Sequence, residues 1–210
     1  VNGFVFSFAQ YLVEIIGTAA FALSAIIEAA RRKLDAVGVC AVAILAAFGG
    51  GTLRDVLLDR RPFFWVEHSE FLWLVLSLAI LAMLFLRGRH LAPTERAMQW
   101  PDAIGMGLFC ASGVQISLQL GMPTLVVVLM GMVTAVFGGV LRDIVCNEIP
   151  QVFRDHRPYA LCAFAGGWAM IGADAMGLSE WTCLLVGFIV TTAIRFAALI
   201  FDWRIPSWRT

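Results

Sequence analysis

Charge is what this sequence has least of. Charged side chains make up 14% of its 210 residues, against about 25% in ordinary soluble domains. Its 15 basic and 15 acidic residues cancel, so no global field of one sign points to nucleic acid as a partner. Cysteine is also sparse. The five (Cys40, Cys110, Cys146, Cys162, Cys183) form no Cys-x-x-Cys pair and fall inside apolar stretches. They read as small packing residues. His68, His90 and His156 fall in or beside polar connections and have no metal-ligand spacing. No Ser/His/Asp or Cys/His constellation is present. An enzyme is not expected, and neither is a bound cofactor or resident metal.

Apolar residues make up 60% of the chain and fall into long blocks. A helix rises 1.5 Å per residue and the hydrocarbon core of a bilayer is about 30 Å thick, so one crossing takes about 20 residues. Seven blocks approach that length: 5–29, 36–58, 70–86, 102–120, 123–146, 158–176 and 180–201. They lack the alternation of a membrane β-barrel. The first lacks a basic leader region and is interrupted by Glu14, so it reads as a span and not as a signal peptide. The expected fold is an all-α membrane protein with seven transmembrane helices.

The basic residues orient it. Arg31, Arg32 and Lys33 follow span 1. Arg87, Arg89 and Arg96 follow span 3, Arg154 and Arg157 follow span 5, and Arg204 and Arg209 follow span 7. All ten fall on one side, and only Arg60 and Arg61 fall on the other. The expectation is a multi-pass protein of the cell (inner) membrane with its N-terminus outside and its C-terminus in the cytoplasm.

Shifted by 88 positions, the chain matches itself without a gap. Ile16, Gly17, Phe21 and Ser24 fall on Ile104, Gly105, Phe109 and Ser112. Gly50, Gly51, Leu53, Arg54, Asp55 and Pro62 fall on Gly138, Gly139, Leu141, Arg142, Asp143 and Pro150. Glu14 meets Asp102, a chemical match. Each unit holds three spans, and an odd number makes the second unit enter from the opposite side. That is the inverted repeat common in transporters. The chain is thus one transmembrane domain over 1–210. Its first unit covers about 5–88 (helices 1–3), its second about 93–176 (helices 4–6), and helix 7 covers about 180–203.

Within span 1, Glu14, Gly17, Phe21, Ser24 and Glu28 share one helical stripe, and Asp102, Gly105, Phe109 and Ser112 repeat it in span 4. Gln115 and Gln119 add polarity nearby. Small residues on such a stripe serve helix packing; a carboxylate among them suits a hydrated path. Span 2 carries Gly49, Gly50 and Gly51 near its middle, and span 5 carries Gly138 and Gly139. Each costs roughly 1 kcal/mol in a helix interior relative to Ala. They mark either a kink or unwound turn or a close helix crossing. Arg54, Asp55, Arg142, Asp143, Glu14 and Arg195 are expected at membrane depth. Unpaired, each would cost about 2.5–3.5 kcal/mol, so they must pair, cap a broken helix or face water. Neighbours on a helix point differently, so Arg54 and Asp55 need not pair with each other. Arg195 is expected to snorkel to the cytoplasmic surface.

The paired Gly-Gly and Arg-Asp motifs on helices 2 and 5 of a duplicated three-helix unit resemble the trimeric intracellular cation (TRIC) channel family, in its prokaryotic branch. The resemblance covers about 8–203. It implies a homotrimer in membrane lipid with one pore per protomer, selective for monovalent cations, chiefly K⁺ with Na⁺ as a second permeant ion. It implies kinks at Gly49, Gly50, Gly51, Gly138 and Gly139, and motif charges at Arg54, Asp55, Arg142 and Asp143 that line or gate the pore with Glu14 and Asp102. Bacterial sequences of this type are also grouped as glycine transporters, so a secondary transporter of a small solute such as glycine is the alternative.

Overall fold

A computed structural model describes residues 7–86, 94–154 and 157–206. Arg87, Arg89 and Arg209 of the basic side, and His90 and His156, lie outside these residues. Nine helices occur among those described: α1 (Phe8–Arg31), α2 (Ala36–Leu57), α3 (Phe64–Glu67), α4 (Glu70–Leu86), α5 (Glu95–Gln119), α6 (Thr124–Val145), α7 (Gln151–Arg154), α8 (Ala160–Ala175) and α9 (Glu180–Ile200). Four of them (α1, α2, α6 and α9) are long and apolar enough to cross a membrane, and α4 and α8 are shorter apolar helices.

The long helices fall where the apolar blocks are, with caps to start them. Ser7 and Gln10 form a capping box at α1, and Asp35, Thr94 and Ser179 cap α2, α5 and α9. The sequence placed one start too late. α5 begins at Glu95, ahead of the apolar block, and runs through Pro101. Pro101 has no N–H to offer the Ala97 carbonyl, yet the helix continues. The short helices α3 and α7 were not expected; one turn leaves no periodicity to read.

Large apolar side chains face outward along the bundle, among them Trp73, Leu84, Phe85, Leu161 and Ile189. A soluble surface rarely presents so many together, and here they suit contact with lipid tails. Inside, α1 packs on α5 and α2 on α6. The two crossings are built on glycine. A Cβ on Gly17 would meet the Phe109 ring at 2.8 Å, and one on Gly105 would meet the Phe21 ring at 2.9 Å. The two rings themselves pack at 5.3 Å between centroids. α9 packs against α5 and α8.

Candidate functional site: two buried arginine networks

α2 and α6 run as uninterrupted helix through their glycines. The unwound turn expected there is absent. The glycines instead let two backbones meet. A Cβ on Gly50 would run into the Thr134 carbonyl on α6, and one on Gly138 would run into the Ala46 carbonyl on α2. Positions 46 and 134 are themselves 88 apart, so the contact is reciprocal. Beside it, a Cβ on Gly49 would meet Leu141 Cδ1 at 2.5 Å, and Gly51 faces the Phe64 ring. Close packing is what these residues provide, and side-chain volume is what their positions exclude.

Just beyond the glycines on each helix sits the Arg-Asp pair, fully or nearly fully buried. Arg54 Nη1 donates to Glu14 Oε1 on α1 at 2.6 Å and to Ser112 Oγ on α5 at 3.1 Å. Its Nε donates to Asp55 Oδ1 at 2.9 Å. Ser112 Oγ donates in turn to Glu14 Oε1 at 2.5 Å. Arg142 repeats the pattern. Its Nη1 donates to Asp102 Oδ1 on α5 and to Ser24 Oγ on α1, each at 2.6 Å, and its Nε donates to Asp143 Oδ1 at 2.9 Å. The expectation that neighbouring Arg and Asp need not pair is therefore corrected. The long guanidinium folds back over its own Asp while its tip reaches another helix.

Each aspartate has a second duty. Asp55 Oδ2 accepts from the Phe64 N–H at 3.1 Å, and Asp143 Oδ2 accepts from the Gln151 N–H at 2.9 Å. These are the first residues of α3 and α7, whose N–H groups have no partner within their own helix. So the charge that holds the arginine also fixes the short helix that follows.

Eight of the sequence-predicted residues thus form two clusters: Glu14, Arg54, Asp55 and Ser112 in one, and Asp102, Arg142, Asp143 and Ser24 in the other. Two others lie elsewhere. Glu28 pairs with Arg31 and Arg32 at the end of α1, and Gln119 accepts from Gln10 Nε2 at 2.9 Å near the opposite end. Arg195 is also corrected. It does not snorkel; it is fully buried, donates to the Pro158 carbonyl at 3.1 Å and lies 4.6 Å from the Tyr159 ring. Tyr159 itself was missed. Its hydroxyl donates to Asp102 Oδ2 at 2.8 Å. The internal match held the clue, because 88 positions upstream of this tyrosine stands Phe71.

A polar cavity of about 360 Å³ opens beside the second cluster, lined by Glu28, Arg31, Glu95, Asp143, Glu148 and Gln151 among others. At its rim Arg32 bridges Glu28 and Glu148. Hydrogen bonding to Glu28 holds the Arg32 guanidinium above its ordinary pKa. Arg157 and Arg204, which also line this cavity, hold the Asp202 carboxyl below the usual carboxylate range. No group of three or more metal-ligating side chains occurs among the described residues.

Apolar helices whose few buried charges are paired at helix crossings define a multi-pass helical membrane protein with a polar interior. The family described as Glycine transporter matches twice, over residues 11–87 and 99–175. A UPF0126 membrane protein of Vibrio cholerae is 36% identical, over 94% of this chain and 82% of that protein. The UPF0126 inner membrane protein YadS of Escherichia coli K12 is 30% identical, over 94% and 95%. Among solved structures, the TRIC trimeric intracellular cation channel orthologue from Rhodobacter sphaeroides superposes with a TM-score of 0.86 at 30% identity, over 94% of this chain and 100% of that one. A structure described for conductance through TRIC cation channels superposes at 0.84 and 28% identity, over 95% and 97%. The chain belongs to this family, the prokaryotic branch of the TRIC channels.

Proposed function

We propose that this chain is a cation channel of the cell (inner) membrane, with a conduction path inside each protomer of a homotrimer. K⁺ is the chief permeant ion and Na⁺ a second. In this reading α1, α2, α4, α5, α6, α8 and α9 are the seven crossings. The two units are inverted, the N-terminus is outside and the C-terminus is cytoplasmic. Arg54 then lies toward the outer face, and Arg142 and the polar cavity toward the cytoplasm.

The observation that carries the reading is the pair of buried ion-pair networks at the core of an apolar bundle, in a fold shared with channels. Buried charge at membrane depth is costly and marks ion paths. The networks flank the glycine crossing of α2 and α6, so sliding those helices would move both guanidinium groups. Glycine leaves no side chain in the way of that slide, which makes the crossing the natural gate. Glu14, Asp102 and the motif aspartates keep the path cation-friendly while the arginines hold it shut or open.

One observation favours a second reading, a secondary transporter of a small solute: the matching family is described as Glycine transporter. Inverted units with central polar sites suit that class as well. Purified protein in planar bilayers separates the two. Discrete unitary K⁺ currents are expected. Saturable, gradient-coupled glycine uptake without unitary currents would establish the transporter, and silence in both assays would reject both readings.

A further inference from the structure

The two networks differ in one charge and in their hydroxyl groups: Arg60, whose Nη1 lies 3.6 Å from Asp55 Oδ1, falls on Glu148. Shifting back by 88 takes Tyr159 to Phe71 and Met106 to Thr18. In the second network the Tyr159 hydroxyl satisfies Asp102 Oδ2, and buried Met106 offers little for hydrogen bonding. In the first network the neighbouring rings are Phe64 and Phe71, both fully buried and packed on each other at 5.8 Å. Neither carries a hydroxyl. Glu14 Oε2, Thr18 Oγ1 and Arg54 Nη2 are buried and have no hydrogen-bond partner among the described residues.

They belong together. Glu14 and Thr18 are one turn apart on the same face of α1. Arg54 Nη1 is bonded to Glu14 Oε1 at 2.6 Å, so Nη2 and Oε2 belong to one bonded pair of side chains. In the second network Arg142 Nη2 also lacks a hydrogen bond, but the free oxygen of its partner carboxylate, Asp102 Oδ2, is satisfied by Tyr159.

An unsatisfied buried polar group costs about 1–3 kcal/mol, and more when charged. The three atoms also state what would satisfy them. Glu14 Oε2 needs a donor, Arg54 Nη2 needs an acceptor, and the Thr18 hydroxyl serves either way. A bare cation would suit the carboxylate and face the guanidinium N–H; an anion would do the reverse. A water molecule donates and accepts, and two to four polar partners are what a buried water requires. We propose that Glu14 Oε2, Thr18 Oγ1 and Arg54 Nη2 form a site for one buried water, and that the Tyr159 hydroxyl takes that water's place in the matched half.

The free carboxylate oxygen of the Arg54 half is therefore satisfied by water, and that of the Arg142 half by the Tyr159 hydroxyl. This deepens the conduction reading and rests on it only for its functional meaning. A density map of the intact protein that resolves ordered water tests the site. A peak is expected within hydrogen-bonding distance of both Glu14 Oε2 and Arg54 Nη2. Direct protein bonds to those atoms, or a matching water in place of the Tyr159 hydroxyl on Asp102, would overturn it. Thr18→Val removes one of the water's three partners and should weaken or abolish that peak; an unchanged peak would overturn the site as drawn. Water in place without K⁺ current would sink the channel reading alone, and current without the water would sink this inference alone.

Discussion

Adding one methyl group at the α2–α6 crossing is the sharpest perturbation the structure offers. A Cβ on Gly50 would stand 3.1 Å from the Thr134 carbonyl carbon and closer still to its oxygen, and a Cβ on Gly138 would stand 3.4 Å from the Ala46 carbonyl carbon and likewise closer to its oxygen. The obstacle in both cases is helix backbone, which cannot turn aside as a side chain does. The helices must separate, by roughly 1 Å, to restore ordinary contact. Overpacking of this kind costs about 1–3 kcal/mol, partly offset by the better helix propensity of Ala, worth roughly 1 kcal/mol. Gly50→Ala and Gly138→Ala should each lower the melting temperature by a few degrees, at about 2–4 °C per kcal/mol for a chain of this size. Because both methyls push the same pair of helices apart, the double variant should cost less than the sum of the singles. Gly172→Ala on α8, where a Cβ meets nothing within 4 Å, is the control and should be neutral or slightly stabilising. Melting in detergent and unitary conductance in bilayers are read together. Unchanged melting in both crossing variants, or strictly additive losses, would refute the reciprocal backbone contact. Unchanged conductance alongside lowered melting would leave the glycines structural and remove them from the gate.

Arg142→Ala strands Asp102 and Asp143 without their cation, and Arg54→Ala strands Glu14 and Asp55; each should cost about 3–5 kcal/mol in chemical unfolding, the scale of a broken buried pair. A loss confined to stability, with conductance and its voltage dependence intact, would show that the networks only hold the bundle together. Ser112→Ala should destabilise more than Ser24→Ala, because Ser112 both accepts from Arg54 and donates to Glu14 whereas Ser24 only accepts from Arg142; the loss should be about 1.5–3 kcal/mol for each bond to a charged group, and equal effects would contradict the assigned bonds. Tyr159→Phe should lower stability by about 1–3 kcal/mol by leaving Asp102 Oδ2 without a donor, and an unchanged melting curve would argue against that bond.

Much of the fold was legible because lipid imposes a simple rule: long apolar blocks become helices. The block 36–58 and helix Ala36–Leu57 differ by a single residue at one end. The rule fails where a helix outruns the bilayer, as α5 does by starting at Glu95, and where a helix is too short for any period, as in α3 and α7. The site was legible in membership and not in geometry. Shifting the chain by 88 positions named Arg54, Arg142, their carboxylates and both serines, since like positions in two copies share a role. It could not show that Arg54 folds onto Asp55, which depends on side-chain conformation. Nor could it bury Arg195, whose acceptor is the Pro158 carbonyl, 37 positions away. Tyr159 shows the cost of reading only the matches: the mismatch with Phe71 carried the information.

The serines have one more consequence. Ser24 belongs to the first half and serves the arginine of the second; Ser112 does the opposite. Neither half owns a complete set of acceptors, so each is a lock whose key is kept by its neighbour. A change at either serine is felt on the far side of the molecule, and the two halves can drift apart in sequence only in step. Phe71, at the position that matches Tyr159, is a place where the two halves already differ.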